Sequence, residues 1–279
     1  MLPGAQPIVY LMPQAEDWSP VDGAVIEETA VCLFVNGREM VTLMASPIEV
    51  EALALGFLYT EGFIHSMDDV AALELSRQGA CVDVWLHSDD MPQPRRVIRT
   101  SGCSGGVTFD DLTAAREPTP VRATLTAQQV IDRYFDLRSI EQLYPLARGV
   151  HGSALCTADD LLLWTEDVGR HNTLDKLAGK ALQQHIPTGD RAIVTTGRIS
   201  SEMLGKAAKL GVSVIASRTS PTHRSVALAH AWNITIIGYI RRDSFRLYTA
   251  PSRIVPADPA FAAIAATQAA PSQPDPAPK

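Results

Sequence analysis

From about residue 28 the hydrophobic and polar positions fall into a strand–turn–strand pattern. ETAVCLFVNGREMVTLMAS reads as two strands joined at Asn36-Gly37, residue types that accept the positive φ of a tight hairpin turn. A helix is predicted next. Ser46 offers an N-cap, Pro47 suits the first helical position, Glu49 completes a capping box, and Leu53 and Phe57 supply a buried face that ends near Gly62. Residues 70–76 and 80–87 read as strands, the second alternating through Val82, Val84 and Leu86. The first twenty residues carry several prolines and little periodicity, and a loose leader is expected there.

The pattern changes after the segment MPQPRRVIRTSGCSGGVTFDDL, whose Gly, Ser and Pro predict a mobile loop and a domain boundary. Residues 126–143 read as a helix, and SALCT and LLLWT as a hairpin across Asp159-Asp160. A 3.6-residue stripe through Leu174, Leu177, Ala178, Ala181 and Leu182 marks a further helix. Strand and helix then alternate: RAIVTT, SSEMLGKAAKLG closed by Gly211, VSVIAS, the helix from Thr222 to Trp232, ITIIGYI, and a last extended piece FRLYT. This alternation predicts an α/β layer on a largely parallel sheet. The expected organisation is a leader over 1–22, an N-terminal α+β domain over 23–115, an α/β domain over 116–255, and a disordered Ala/Pro-rich tail over 256–279.

Composition narrows the function classes. The chain has 279 residues, 46% of them hydrophobic, enough for one large or two smaller cores. Its net charge of −7 argues against non-specific nucleic-acid binding, though not against a local basic pocket. No apolar run is long enough to span a bilayer and no secretory signal is legible, so a cytoplasmic protein is expected. Four cysteines at 32, 81, 103 and 156 form neither a disulfide framework nor a C-x-x-C pair.

Candidate chemistry concentrates in a few segments. Cys103 lies in Ser101-Gly102-Cys103-Ser104-Gly105-Gly106, a run too small to bury a thiol, with Arg95, Arg96 and Arg99 just upstream. Nearby cations favour the nucleophilic thiolate; the plainer reading is an exposed, idle cysteine. Cys32, Cys81 and Cys156 read as small core residues. Glu166-Asp167-Val168-Gly169-Arg170-His171-Asn172 closes a strand and opens a helix, as a ligand crevice would, or as a capping cluster would. Arg198 and Arg218 each follow a strand and precede a helix, amid hydroxyls suited to phosphate. Ordinary N-capping accounts for Ser200 and Thr222 but for neither arginine. Gly238 through Ser244 adds Tyr239, Arg241 and Arg242, which could stack on a flat heterocycle or form a solvated edge. At His151-Gly152-Ser153 the glutamate of the zinc-deaminase H-x-E motif is missing and no C-x-x-C follows, which argues against zinc-dependent deamination of a nucleobase.

Taken in order, VNGREMVTLMASPIEVEALALGFLYTEGFI, GVHGSAL, EDVGRHNTLDKLAGKAL, TTGRISSEMLGKAAKLGVSVIASRTSPTHRSVALA and GYIRRDSFRLYT resemble the signature blocks of the FdhD family over about residues 28–250. The resemblance implies a cytidine-deaminase-like α/β/α main domain without zinc, beside a smaller N-terminal α+β domain. It implies a homodimeric sulfurtransferase that takes persulfide sulfur from a cysteine desulfurase. The sulfur passes to the molybdenum cofactor (Mo-bis-MGD), bound as substrate, before that cofactor enters the catalytic subunit of formate dehydrogenase. The family's persulfide cysteine matches Cys103, and its cofactor-binding segment matches Tyr239, Ile240, Arg241, Arg242, Asp243 and Ser244. Arg198, Arg218, Arg241 and Arg242 are expected to hold cofactor phosphates, Tyr239 to stack on guanine or pterin, and His171 to join the cofactor-binding set. One departure stands out: the second cysteine of the family's C-x-x-C is Gly106 here. A single thiolate can still attack a donor persulfide. The alternative is a cofactor-binding chaperone that has lost sulfur transfer.

Overall fold

The structure is a computed structural model that describes residues 2–15, 17–76, 80–88, 116–121 and 124–255, with the backbone of 98–99 and 107–108. The Cys103 loop, the expected boundary at 115 and the tail from 256 lie outside the described residues.

The chain opens with a two-stranded ribbon, β1 (Ala5–Gln14) and β2 (Asp17–Ile26), paired from Ala5↔Ile26 to Gln14↔Asp17. This replaces the expected loose leader. Pro7, Pro13 and Pro20 suppress a strand reading, but a ribbon with a free edge on each strand tolerates a missing N–H. A four-stranded sheet follows, in the order β4 (Arg38–Ala45), β3 (Thr29–Val35), β6 (Cys81–Leu86), β5 (Val70–Leu75). Alternate residues Val31, Leu33 and Val35 of β3 and Val82 and Val84 of β6 are buried, on the face covered by α1 (Val50–Thr60).

The expected capping box of α1 does not form. The helix starts after Glu49, whose φ is 53°, and no side chain caps it. Ser46 and Glu49 are claimed by distant partners instead. The Ser46 hydroxyl accepts from the Val168 N–H at 3.1 Å, and the Glu49 carboxylate accepts from Thr165 at 2.6 Å and Lys180 at 2.5 Å. A tertiary contact has outcompeted a local one.

Two-residue strands β7 (Ile98–Arg99) and β8 (Val107–Thr108) pair antiparallel. Next come β9 (Leu125–Thr126), α2 (Ala127–Ile140) with a Thr126–Gln129 capping box, and α3 (Leu143–Ala147). The main sheet runs β11 (Leu161–Asp167), β10 (His151–Cys156), β12 (Ala192–Thr195), β13 (Val214–Ser217), β14 (Thr235–Gly238), β15 (Arg246–Leu247). It is mixed: β12, β13 and β14 are parallel, while β11, β10 and β15 join antiparallel. The largely parallel sheet expected from the alternation is therefore confined to three central strands, because the β10–β11 hairpin and β15 enter without crossover helices. A last strand, β16 (Ile254–Val255), pairs with β9.

Helices cover both faces of this sheet. Ile193, Ile215 and Ile236 point into a core with α4 (Arg170–Gln183), α5 (Ser201–Lys209) and α6 (His223–Trp232). Their neighbours Val194, Val214, Ala216 and Ile237 point the other way, against Val130, Tyr134 and Leu137 of α2. Short apolar strands buried on both faces account for the unbroken hydrophobic runs in the sequence. The N-terminal sheet reaches this body through α1, which lies on α4. A Cβ at Gly56 would land on the Asp175 carbonyl and one at Gly179 on the Ala52 carbonyl, so the two helices touch backbone to backbone. No helix among the described residues is long and apolar enough to cross a membrane.

Candidate functional site: an arginine-lined crevice at the ends of the parallel strands

The loops that leave β12, β13 and β14 lie side by side at the C-terminal ends of those strands, where open α/β sheets bind ligands. They are tied together by short polar contacts. The Ser217 hydroxyl donates to the Gly197 carbonyl at 2.6 Å, Tyr239 N–H to Thr219 O at 3.1 Å, and Ile240 N–H to Ser217 O at 3.2 Å. Ile199 and Pro221 continue the parallel pairing past the strands. Ser200 caps α5 and Thr222 caps α6, as the sequence predicts.

This frame brings most of the expected residues together. Arg218 Nη1 donates to Ile240 O at 3.2 Å, and Arg241 Nη1 donates to the same carbonyl at 2.9 Å and to Arg218 O at 3.2 Å. The two guanidinium groups thus share one backbone oxygen. Arg241 N–H donates to Ser244 O at 2.7 Å and the Ser244 hydroxyl to Asp243 at 3.0 Å, folding residues 241–244 into a tight exposed turn. Ile240 itself is buried against the α2 face, so its contribution to the crevice is its carbonyl. Tyr239 has φ 56°, an uncommon conformation for an aromatic residue, and turns the chain away from β14. Arg242 lies over the Phe135 ring at 5.3 Å, and Arg198 is exposed. His171 Nε2 is 3.2 Å from the Ser200 hydroxyl and 3.0 Å from the Glu202 carboxylate. The imidazole is the main reason that Glu202 is held below the usual carboxylate range.

Two participants escape the sequence reading. Arg246, on β15, places its guanidinium 4.2 Å from the Tyr239 ring centroid, so a cation already covers the ring expected to stack on a ligand. Arg170 is buried beside His151 and Gly197: a Cβ on Gly197 would meet Arg170 Cβ at 2.8 Å and His151 Nδ1 at 3.6 Å. Burial holds the His151 imidazole below its ordinary range, and Arg170 adds to the effect. Arg170 lies within the Glu166–Asn172 segment, but its burial there is set by the fold; Arg246 is separated from the crevice in sequence and needs β15 to place it.

The rest of the Glu166–Asn172 segment is structural. Glu166 accepts the backbone N–H groups of Gln142, Leu143 and Tyr144 at 2.7–2.9 Å, capping α3 rather than α4. Asp167 pairs with buried Lys176 at 2.6 Å and accepts from Ser46 and Gly169. The two readings of this segment therefore divide it: Glu166, Asp167 and Asn172 hold the fold, while Arg170 and His171 turn to the crevice.

Cys156 is sealed in the core, donates to Ala192 O at 3.4 Å, and is pushed up to about 12 by burial. Cys32 and Cys81 are register partners on β3 and β6, where the Cys32 thiol raises Cys81 above the ordinary cysteine range. Cys103, the expected nucleophile, lies outside the described residues.

The crevice has a consistent electrostatic character. Among the described residues, Arg170, Arg198, Arg218, Arg241, Arg242 and Arg246 make no ion pair with any carboxylate. In a chain of net charge −7, six guanidinium groups without an ion pair, on segments that follow the strands of the main sheet or lie on its last strand, suit a polyanion.

Comparison with known proteins agrees with this architecture. The family model described as the FdhD/NarQ family matches residues 26–255. A sulfur carrier protein FdhD of Staphylococcus aureus (strain MRSA252) is 36% identical over 235 residues, covering 82% of this chain and 89% of the relative. The protein of the same name from Staphylococcus haemolyticus is 35% identical with the same coverage. Among solved structures, a candidate formate dehydrogenase accessory protein from Desulfotalea psychrophila superimposes with a TM-score of 0.74 at 25% identity, covering 91% of this chain and all of that one. With a family model spanning the crevice and both sheets, and relatives of this similarity, the chain belongs to the FdhD/NarQ family.

Proposed function

We propose that the protein is a sulfur carrier that serves a formate dehydrogenase. Cys103 is the carrier atom's anchor: its thiolate attacks the outer sulfur of a cysteine desulfurase persulfide, the donor S–S bond breaks, the desulfurase thiolate leaves, and Cys103 holds the sulfur as a persulfide. The acceptor is Mo-bis-MGD, bound as substrate and handed on to the catalytic subunit of formate dehydrogenase. The carrier works in the cytoplasm as a homodimer, and its main domain is a deaminase-like scaffold reused without zinc.

The observation that carries this reading is the set of arginines without carboxylate partners at the ends of β12, β13 and β14. A bis-guanine-dinucleotide cofactor brings two pyrophosphates and flat heterocycles. Arg198, Arg218 and Arg241 would meet phosphate, and the rings of Tyr239 and Phe135, each with a guanidinium nearby, support a role in holding the heterocycles. The fit rests on guanidinium groups that the protein itself does not neutralise. The names of the relatives support the sulfur-carrier reading.

Complementation tests it. In a strain lacking its own gene for this accessory function, the wild-type chain restores formate dehydrogenase activity and Cys103→Ala does not. Full restoration by C103A, with cofactor binding intact, points instead to a chaperone without sulfur transfer, the reading that Gly106 in place of a second loop cysteine favours.

A further inference from the structure

Arg170 is 7% exposed, yet among the described residues its guanidinium donates no hydrogen bond to the protein. Its Nε is sealed from solvent without a hydrogen bond, and among the described residues the group makes no ion pair. Burying a charge in this way is strongly unfavourable unless something compensates it.

The surroundings make the cost greater. Arg170 is the first residue of α4, a fourteen-residue helix whose N-cap, Gly169, supplies no side-chain cap, so the cation sits at the positive end of the helix dipole. His151 from β10 and the Glu202 carboxylate from α5 feel its charge, and His151 in turn is faced by Asp167, His171 and Arg198. The two neighbouring carboxylates are already committed: Asp167 to Lys176 at 2.6 Å, and Glu202 to His171 at 3.0 Å. Gly197 passes directly against Arg170 and His151, which leaves the loop no side chain there to fill the space.

We propose that Arg170, with His151 and His171 beside it, forms a built subsite for one phosphate group of the nucleotide, distinct from the Tyr239–Ser244 turn. A guanidinium presents paired donors that match phosphate oxygens, and an arriving oxyanion would supply the ion-pair partner that Arg170 lacks among the described residues. The inference rests on the cofactor-binding reading above and extends it to residues on the opposite side of the crevice, at the start of α4.

The test is calorimetric titration of the full chain with GDP, guanosine and inorganic pyrophosphate, in the wild type and in Arg170→Met. R170M is expected to bind GDP and pyrophosphate about 10- to 100-fold more weakly, the loss of charge-assisted hydrogen bonds, and to bind guanosine unchanged. Its melting temperature without ligand should equal or exceed that of the wild type, because the substitution removes an uncompensated buried charge. Equal GDP affinity in both proteins overturns the subsite and leaves the cofactor reading standing. Pyrophosphate binding that depends on Arg170, with no gain from guanosine in GDP, keeps the subsite and overturns the nucleotide reading. Binding of neither ligand to the wild type overturns both. If R170M melts well below the wild type or cannot be purified folded, the arginine is structural and the proposal falls.

Discussion

Lys206 offers the sharpest test of how the crevice is held in place. Its ammonium donates to Asp175 at 2.8 Å, Thr60 at 2.9 Å and Glu61 at 3.0 Å, and the Thr60 hydroxyl donates to Asp175 at 2.6 Å. All four residues are buried, and they belong to α1 and its C-terminal turn, α4 and α5. Burial pulls the ammonium down, but Asp175 and then Glu61 outweigh it and hold Lys206 above the ordinary lysine range. Lys206→Met takes the ammonium away from the buried Asp175 carboxylate. Breaking a buried pair from one side costs about 3–5 kcal/mol, which lowers the melting temperature of a chain this size by roughly 10 °C or more. The loss should depend on pH. Asp175 is already pushed up by burial, and without the lysine it rises further. A carboxyl whose folded value lies above its unfolded value is stabilising below the unfolded value and loses that contribution as pH rises through the folded one. The deficit of K206M relative to wild type should therefore be smallest near about pH 4 and largest at neutral pH. Thermal melts across that range measure it, and adding Asp175→Asn should recover part of the loss. A deficit under about 1 kcal/mol, or one equal at both ends of the pH range, refutes the assignment of this cluster as a charge-compensated clamp.

Further outcomes follow from the same packing. Gly56→Ala puts a methyl group into the Asp175 carbonyl and should cost about 3 kcal/mol in urea unfolding, whereas an exposed Ala substitution should cost little. Glu141 is buried beside Arg138 and Glu166, and burial raises it to about 7. Its contribution is full below the ordinary carboxylate range and is lost as pH rises through about 7, so Glu141→Gln should flatten the fall in wild-type stability over that window. Cys156, held at about 12 by burial, should resist iodoacetamide at pH about 8 in the native protein and react once it is unfolded.

The parts of the fold legible from sequence are those set by short-range physics. The strands Ala192–Thr195, Val214–Ser217 and Thr235–Gly238 are apolar runs of strand length, and α5 and α6 begin at hydroxyl caps that form as expected. The misreadings come from partners far along the chain. Ser46 and Glu49 have the spacing of a capping box, but Val168, Thr165 and Lys180 bind them more than a hundred residues away. The N-terminal ribbon is hidden by its prolines, which an unflanked pair of strands accommodates. In the crevice, Arg198 and Arg218 could be singled out because strand-to-helix junctions mark ligand sites on such sheets, and Arg241 because it clusters with Arg242 and Tyr239 at the end of a strand. Arg246 could not, since its role depends on β15 folding back along β14 to set it over Tyr239. The significance of Arg170 depends on burial without a partner, which no sequence pattern encodes.

The most direct test of the sulfur-carrier account is mass spectrometry of the intact protein and its peptides after incubation with a cysteine desulfurase and cysteine. The account predicts one added sulfur, removable by a thiol reductant, on the peptide that contains Cys103 and on no peptide containing Cys32, Cys81 or Cys156. An unmodified Cys103, in a protein that still binds GDP through its arginine crevice, would contradict it and leave a cofactor-binding chaperone in its place.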